Sequence, residues 1–326
     1  MSDLPEDLRA ALRDLAAGRS RRDLAERSRQ ISEHYREHVP SAAHVTRGED
    51  ALAYSLSRMP ATYAAVSAVM AEARQLVRAF TPISLLDAGA GPGTASWAAA
   101  ALWPELASIT MLDHNREFLS LASALATRAE SPALRKALHV EGDIAGYSGS
   151  ETFDIVVMAY AMTELSEDRV TTVVADLWSK TAGLLIVVEP GRTRDYHRLM
   201  TLRAELLTAG ATLVGPCPHD EACPLPAGDW CHFSVRLARS RDHQTMKGAS
   251  LGYEDEKYSY LIAARPALTA ERGWSRVIGP PSASKFDVTL PLCTPEGVRR
   301  ERLLKRQGGA FKQARKLSWG DRVDWQ

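Results

Sequence analysis

The sequence lacks an apolar stretch that approaches the roughly 18 residues needed to span a membrane as a helix. It also lacks an excess of either charge, with 40 basic and 40 acidic residues, so its global charge indicates no particular partner. The first residues include Asp3, Glu6 and Asp7 and no apolar core, which is unlike a secretion signal or a typical transit peptide. These absences predict a cytoplasmic protein with no membrane segment.

Cysteine is scarce, and this excludes a scaffold that depends on many disulfides. The four cysteines all lie in the last third of the chain: Cys217, Cys223, Cys231 and Cys293. In a chain without a secretion signal we expect them as thiols or metal ligands rather than disulfides.

A glycine-rich stretch at residues 83–94 organises the remaining pattern. Ile83, Leu85 and Leu86 are typical of a buried parallel strand, and a helical segment follows from Ser96. Between them lies the sequence Asp87-Ala-Gly89-Ala-Gly91-Pro-Gly93, whose spacing differs from the G-x-G-x-x-G of dinucleotide sites. It resembles the first motif of class I S-adenosylmethionine-dependent methyltransferases. We therefore predict cofactor contacts at Asp87, Gly89, Gly91 and Gly93.

Further strands follow at the spacing of a doubly wound α/β sheet. Residues 108–113 indicate a second strand, and Asp113 at its end is placed to accept hydrogen bonds from ribose hydroxyls. Residues 138–144 resemble a third strand whose Asp143 would meet the adenine amino group, and residues 153–159 and 184–191 indicate a fourth and a fifth strand. Together these patterns predict an S-adenosylmethionine site.

A catalytic motif is not recognisable. Enzymes that methylate exocyclic base amines carry Asn/Asp-Pro-Pro-Tyr/Phe after the fourth strand, where this chain has Ala159-Tyr-Ala-Met-Thr-Glu-Leu165. Pro216-Cys217 matches a fragment of the cytosine C5 methyltransferases, but so does any cysteine in a proline-rich loop. The sequence leaves open whether the protein transfers a methyl group.

The cysteines form the second group of candidate site residues. Cys217, Cys223 and Cys231 lie in an irregular proline-rich loop that we place after strand five, and Cys293 ends an apparent last strand, so a metal centre would fasten the loop to the sheet. The paired C-x-x-C knuckles of zinc ribbons are absent, and the Cys-Pro steps and the wide spacing of the cysteines favour an iron–sulfur cluster. Zinc, with His219 or His232 as further ligands, and free thiols remain alternatives.

Three regions result: an N-terminal helical region over 1–80, a methyltransferase-like domain over 81–298 that includes the Cys-rich loop 210–250, and a basic C-terminal tail over 299–326. In the helical region, Pro60 is expected to begin a helix rather than to lie inside one. The tail has interleaved aromatics and suits either a nucleic-acid surface or a solvated face. Its basic residues include Arg299, Arg300, Arg302, Lys305, Arg306, Lys312, Arg315 and Lys316.

The combination resembles the ribosomal small-subunit methyltransferase-like family, the relatives of mitochondrial methyltransferase-like protein seventeen. The resemblance extends over nearly the whole chain. It rests on Arg58-Met-Pro-Ala-Thr-Tyr63, the glycine motif, Cys217-Pro-His-Asp, Cys223-Pro-Leu, Asp229-Trp-Cys231-His-Phe, Tyr253-Glu-Asp-Glu-Lys257, Leu292-Cys293-Thr-Pro-Glu-Gly297 and Ala314-Arg-Lys with Trp319-Gly-Asp321. Without a mitochondrial presequence, a bacterial member is expected.

The resemblance implies properties that spacing does not show. The four cysteines would bind a 4Fe–4S cluster, and the protein would associate with the small ribosomal subunit or its precursor rRNA. The leading hypothesis is an S-adenosylmethionine-binding, methyltransferase-like factor with a structural cluster that acts in small-subunit assembly or translation. The alternatives are an active rRNA or protein methyltransferase, and an RNA-binding redox sensor that depends on the cluster.

Overall fold

In a computed structural model, residues 3–36, 41–147, 149, 151–239, 241–247 and 250–325 are described. The N-terminal region contains three helices: α1 (Glu6–Ala16), α2 (Arg21–Arg36) and α3 (Gly48–Leu76), with a short 3-10 turn at Ser41–Ala43. Helix α3 is buried along most of its length, because apolar residues occupy all its sides. It packs against α2, α4 and strand β8, so this region is part of the main core.

The central sheet has eight strands. They are β1 (Ser84–Ala88), β2 (Ser108–Asp113), β3 (Leu138–Glu141), β4 (Phe153–Ala159), β5 (Thr181–Pro190), β6 (Thr212–Gly215), β7 (Phe233–Ala238) and β8 (Tyr253–Ala264). Their order is β3-β2-β1-β4-β5-β8-β6, with β7 also paired to β8. Strands β1 to β5 are parallel, and β8 is antiparallel to β5, β6 and β7.

Helices cover both faces of this sheet. They are α4 (Thr94–Leu102), α5 (Arg116–Ala126), α6 (Pro132–Arg135), α7 (Glu167–Ser179), α8 (Thr193–Thr208) and α9 (Arg241–Lys247), with 3-10 turns at Ile144–Gly146 and Met162–Glu164. Neighbouring residues of β1 serve different cores: Leu85 packs in the core that contains α3 and α4, and Leu86 in the core that contains α7 and α8. A strand buried on both faces explains its continuous apolar sequence.

A second sheet follows, built from β9 (Ser275–Val277), β10 (Ser282–Ala283), β11 (Asp287–Thr294), β12 (Gly297–Leu304) and β13 (Arg322–Val323). A 3-10 turn at Lys305–Gln307 and helix α10 (Gly309–Ala314) pack on it around a small core of their own. The segment that the sequence analysis set apart as a basic tail is thus folded into this sheet. Among the described residues, no helix is both long enough and apolar enough to cross a bilayer.

Three sequence expectations differ from the structure. The proline-rich cysteine loop follows β6 rather than β5, because α8 and β6 intervene before Pro216. The strand that carries Cys293 belongs to the second sheet, not to the central one. Pro60 lies inside α3, although it has no N–H to donate to the carbonyl of Leu56; the burial of the surrounding helix outweighs this loss.

Candidate functional site

An open cavity of about 990 Å³, including its mouth, lies where β1 and β4 end. Strand order changes direction between these two strands, and open α/β sheets bind ligands at such a point. We call it the cofactor cavity. Five of the six residues predicted to contact a cofactor line it: Asp87, Gly89, Gly91, Asp113 and Asp143.

Asp87 lies at the base of this cavity and is almost completely buried. Its Oδ2 accepts hydrogen bonds from the amide of Ser96 at 2.9 Å and from the Ser96 hydroxyl at 2.7 Å. Burial raises the pKa of Asp87 to about 7, although the bonds from Ser96 act in the opposite direction. The carboxylate therefore fixes the glycine turn to the first turn of α4.

Asp113 is the acidic residue at the end of β2. Its Oδ2 accepts a hydrogen bond from the amide of Gly91 at 2.7 Å, and its Oδ1 accepts one from the amide of Asn115 at 2.7 Å. Burial raises the pKa of Asp113, and the two backbone amides oppose that rise. Asp113 thus ties the glycine turn to the neighbouring strand while lining the cavity.

The three glycines of the turn after β1 have different structural roles. Gly89 has φ of 74°, and a Cβ there would lie 2.5 Å from the Cβ of Ala161. Gly91 has φ of 54°, and a Cβ there would meet nothing within 4 Å, since that side faces the cavity. Gly93 does not line the cavity; it is the left-handed residue that begins α4, with φ of 83°. Gly91 therefore leaves the cavity open to a ligand, whereas Gly89 and Gly93 shape the turn.

Asp143 lies on the opposite side of the cavity and is partly exposed. Its Oδ2 accepts a hydrogen bond from the Nη2 of Arg169 at 2.8 Å, and its Oδ1 accepts one from the amide of Ala145. The bond from Arg169 is the main reason that the pKa of Asp143 is lowered. This carboxylate is charged at neutral pH and faces the cavity from the β3 side.

Sequence reasoning missed several residues of the cavity wall. Ser41 donates from its amide (3.2 Å) and its hydroxyl (2.8 Å) to Oε2 of Glu164, so the N-terminal region closes one side of the cavity. Tyr54 of α3 and Tyr160 after β4 also line it. Tyr160 has φ of 57°, in the left-handed region that a bulky residue seldom adopts. These residues are far apart in sequence and belong to no short motif, so no local signal marks them.

The four cysteines line one second cavity of about 500 Å³, the cysteine cavity. Cys217, Cys223 and Cys231 reach it from the loop between β6 and β7, and Cys293 from β11. Burial raises the pKa of Cys217, of Cys231 and of Cys293, the last to about 12, and the neighbouring thiols add to these shifts. The structure therefore brings all four predicted ligands to the wall of one cavity, three from the loop after the central sheet's β6 and one from the second sheet.

Two buried arginines flank this site. Arg276 lines the cavity, is 2% exposed, and donates from Nε to the carbonyl of Pro216 at 3.2 Å and from Nη1 to that of Gly320 at 2.8 Å. It also forms an ion pair with Glu72 of α3. Arg203 of α8 lies beside Cys217 and donates to the carbonyls of His219 and Glu221. Both cations act to lower the pKa of the Cys217 thiol.

The histidines of the loop occupy different positions. Nε2 of His219 lies 3.7 Å from Sγ of Cys293, whereas the ring of His232 stacks on Trp230 outside the cavity lining. Within the described part of the chain, no three His, Cys, Asp or Glu side chains are grouped so that they could hold a single metal ion.

Eight basic residues of β12 and of the segment that follows it are exposed: Arg299, Arg300, Arg302, Lys305, Arg306, Lys312, Arg315 and Lys316. Some are balanced locally, because Arg299 pairs with Glu301 and Arg302 with Asp287. We call these eight residues the basic surface.

The strand order, with its antiparallel β8 between β5 and β6, and the glycine turn at the switch point define the class I S-adenosylmethionine-dependent methyltransferase fold. A family model described as mitochondrial small ribosomal subunit Rsm22 matches residues 48–324, and the chain belongs to this family. The family predicted from the sequence is thereby confirmed.

Curated relatives agree with this assignment. The chain is 30% identical over 289 residues to the human mitochondrial ribosome assembly protein METTL17, covering 83% of this chain and 61% of that protein. It is 25% identical over 333 residues to the mitochondrial Rsm22-cox11 tandem protein 2 of Schizosaccharomyces pombe, covering 83% and 42%. The chain thus spans about three fifths of the human protein and two fifths of the yeast one.

Solved structures with a similar arrangement are more distant. Magnesium protoporphyrin IX methyltransferase of Synechocystis with bound S-adenosylmethionine is 12% identical with a TM-score of 0.40, over 81% of this chain and all of that one. The N-methyltransferase NodS of Bradyrhizobium japonicum is 15% identical with a TM-score of 0.40, over 61% and 86%.

Proposed function

We propose that this protein binds S-adenosylmethionine and acts as a methyltransferase-like factor in assembly of the small ribosomal subunit. The observation that carries the proposal is the turn at Gly91, which is open to the cavity and anchored by Asp113, in a chain of the Rsm22 family. The human relative is described as a ribosome assembly protein, which supports the cellular role.

The cofactor cavity fits such a ligand in its chemistry. Gly89, Gly91 and Gly93 would shape the turn around its amino-acid end, with Asp87 fixing that turn to α4. Asp113 would accept bonds from the ribose, and Asp143 from the adenine amino group. S-adenosylmethionine would supply an electrophilic methyl group at a sulfonium. The residues of this chain would orient it and limit access of water.

The cysteine cavity supports a structural 4Fe–4S cluster as part of the proposal. The four thiols that line it are the number of ligands such a cluster takes. As thiolates they would bring negative charge into a buried site, and Arg203 and Arg276 stand beside it to offset that charge. Because the thiols come from both sheets, cluster binding would stabilise the junction between them. Zinc is the alternative occupant.

The basic surface would contact rRNA. Eight exposed cations between residues 299 and 316, on a chain of zero net charge, would produce a local positive potential that attracts phosphates. Affinity for small-subunit RNA should then fall steeply as the salt concentration is raised. The reason is that protein binding releases the salt cations condensed on the RNA, and this release is less favourable at high salt.

A two-part measurement tests the proposal. Protein purified without oxygen is titrated with S-adenosylmethionine by calorimetry, and its iron, acid-labile sulfide and zinc are assayed. In parallel, cell extracts are fractionated on sucrose gradients, where we expect the protein with small-subunit precursors. No binding of the cofactor, or co-migration only with large-subunit particles, would refute the function. Stoichiometric zinc without iron would replace the cluster by a zinc site.

A catalytic role is the second candidate, and the complete cofactor cavity beside Tyr160 favours it. Transfer of a labelled methyl group to small-subunit RNA or protein, measured on particles from several assembly stages, distinguishes an enzyme from a binding factor. Absence of transfer at every stage would exclude turnover and leave the assembly role.

A further inference from the structure

A smaller cavity of about 430 Å³ adjoins the cofactor cavity, and we call it the arginine cavity. Tyr54 and Tyr160 line both cavities and therefore form the wall between them. The remaining lining residues come from α3, from the turn after β4 and from the β5–α8 connection: Arg58, Thr163, Pro190, Arg192 and Arg194. A group bound here would lie next to any ligand of the cofactor cavity.

The three arginines of this cavity differ in how far carboxylates compensate their charge. Arg194 donates from Nε at 2.9 Å and from Nη2 at 2.7 Å to Oδ1 of Asp195. Arg58 interacts with Glu256, which also accepts a hydrogen bond from the Tyr160 hydroxyl at 3.0 Å. Arg192 is exposed and forms no ion pair with any side chain in the described part of the chain. One guanidinium at the cavity is therefore available to an external anion.

A third carboxyl near the cavity does not cancel this charge. Glu189 precedes Pro190 at the end of β5, is completely buried, and accepts a hydrogen bond from the amide of Met162 at 2.9 Å. Burial raises the pKa of Glu189 to about 8, so the carboxyl is largely neutral at pH 7. The charge of Arg192 therefore stays uncompensated by Glu189.

The wall between the cavities contains two tyrosine rings, Tyr54 and Tyr160, on which a nucleotide base could stack. Tyr160 is in the left-handed region with φ of 57°, and its hydroxyl is anchored on Glu256. Strain of this kind persists only where the surrounding structure fixes the residue, and it concentrates at functional sites. Proteins commonly bind single-stranded RNA in a positively charged groove that contains aromatic rings. The bases stack on the rings, and the phosphates contact the cations.

We propose that the arginine cavity binds a phosphate of a single-stranded RNA segment and places the attached nucleotide against Tyr160, beside the cofactor cavity. Guanidinium groups suit this ligand, because their planar donors match two phosphate oxygens at once. This inference rests on the proposed function, since it names the RNA-binding part of the same site. It is separate from the basic surface, which lies on the second sheet.

The test measures binding of a short fluorescein-labelled single-stranded RNA by anisotropy, with full-length protein purified without oxygen. The variants are Arg192→Glu, Arg192→Ala and the double variant Arg58→Ala/Arg192→Ala, and Arg22→Glu on the exposed face of α2 is the matched control. We expect Arg192→Glu to weaken RNA binding at least about tenfold, and Arg192→Ala to reduce the salt slope by about one. Affinity for S-adenosylmethionine should stay the same in the two single Arg192 variants, since Arg192 does not line the cofactor cavity.

A second measurement locates the RNA directly. RNA with 4-thiouridine is crosslinked under long-wavelength light, and the peptides are identified by mass spectrometry, with crosslinks expected at Tyr54 or Tyr160. If wild-type protein binds RNA and cofactor but the Arg192 variants bind RNA equally well, the arginine cavity is not the subsite and the proposed function stands. If wild-type protein binds only the cofactor, or if the arginine variants lose binding of a ribosomal protein instead, the RNA subsite is refuted.

Discussion

The carboxylate of Asp113 accepts a hydrogen bond from the amide of Gly91 across 2.7 Å, and this bond connects the end of β2 to the glycine turn. The residue expected to contact a ribose therefore also holds the turn that would receive the rest of the cofactor. One side chain holds the shape of the glycine turn and would also recognise the ribose.

Replacement of Asp113 by alanine should accordingly affect both the shape of the glycine turn and the binding of the ribose. We expect Asp113→Ala to weaken S-adenosylmethionine binding by about 2–4 kcal/mol, because it removes a charged acceptor and releases Gly91. Calorimetric titration measures the loss, with the exposed Asp14→Asn of α1 as control. Unchanged affinity in Asp113→Ala would mean that the cofactor does not bind at this cavity.

The glycine turn allows a matched pair of variants. Gly89→Ala places a Cβ 2.5 Å from Ala161 at φ of 74°, so it should destabilise the fold by about 1–3 kcal/mol. Gly91→Ala meets no atom within 4 Å, but its φ of 54° strains alanine there too, so it should cost only about 1–2 kcal/mol, without the clash of Gly89→Ala, while its methyl obstructs the ligand. Urea denaturation and cofactor titration separate the two effects. Full cofactor affinity in Gly91→Ala would contradict the proposed position of the ligand.

The ion pair between Arg276 and Glu72 should contribute strongly to stability, because Arg276 is 2% exposed and Glu72 15%. Removal of Arg276 by Arg276→Met leaves the carboxylate of Glu72 without its partner, at a cost of about 3–5 kcal/mol. The double variant Arg276→Met/Glu72→Gln should recover part of that loss in urea denaturation. The same Arg→Met change at the exposed pair of Arg236 and Asp255 should have little effect. Equal effects at both pairs would show that burial does not decide the contribution.

Substitution of Cys293 tests whether the second sheet supplies a ligand. The sequence contains only four cysteines, so no other thiol can replace it. Cys293→Ser should lose most iron and sulfide in anaerobic assays, as should the same change at Cys217. Tyr196→Phe removes only the hydroxyl 3.3 Å from Cys223 and should keep the wild-type iron content. Full iron content in Cys293→Ser would limit the metal site to the loop.

Stability should depend on pH through His243, which is 3% exposed and faces Glu254, Lys247 and Arg239. Burial lowers the pKa of His243 from 6.5 to about 4. Between these values the unfolded chain binds more protons than the folded protein, so the free energy of unfolding should decrease as pH falls through this window. His243→Gln should make the dependence shallower, as measured by denaturant midpoints at a series of pH values. An identical dependence in both proteins would assign it to other groups.

Local pattern was sufficient for the five parallel strands of the central sheet. The second and fourth strands, at residues 108–113 and 153–159, have the predicted bounds, because each is a short apolar run between clear turn signals. The acids predicted at the ends of the first three strands, Asp87, Asp113 and Asp143, line one cavity, since the carboxyl ends of neighbouring parallel strands lie together.

Long-range pairing was not predictable in the same way. A strand pattern does not say which sheet a strand joins. The prediction that the strand of Cys293 belongs to the central sheet is therefore wrong, although Cys293 does line the same cavity as the other three thiols. The arginine cavity combines Arg58, Tyr160 and Arg192 from three separate elements, and nothing in their local sequence relates them. At Pro60 the local rule that proline begins a helix gives the wrong prediction, because the burial of α3 outweighs the cost of a proline inside the helix.

The position of Cys293 on β11 also sets an order of events during synthesis. Three thiols leave the ribosomal tunnel on one loop well before the strand that carries the fourth, so a four-thiolate cage cannot exist in a nascent chain that stops short of β11. Throughout that interval the early thiols are open to oxidation and to capture of the wrong metal. If the four thiols hold the proposed cluster, its insertion would therefore follow the synthesis of β11, and the yield of cluster-loaded protein would depend on the iron and sulfide that the cell supplies at that time.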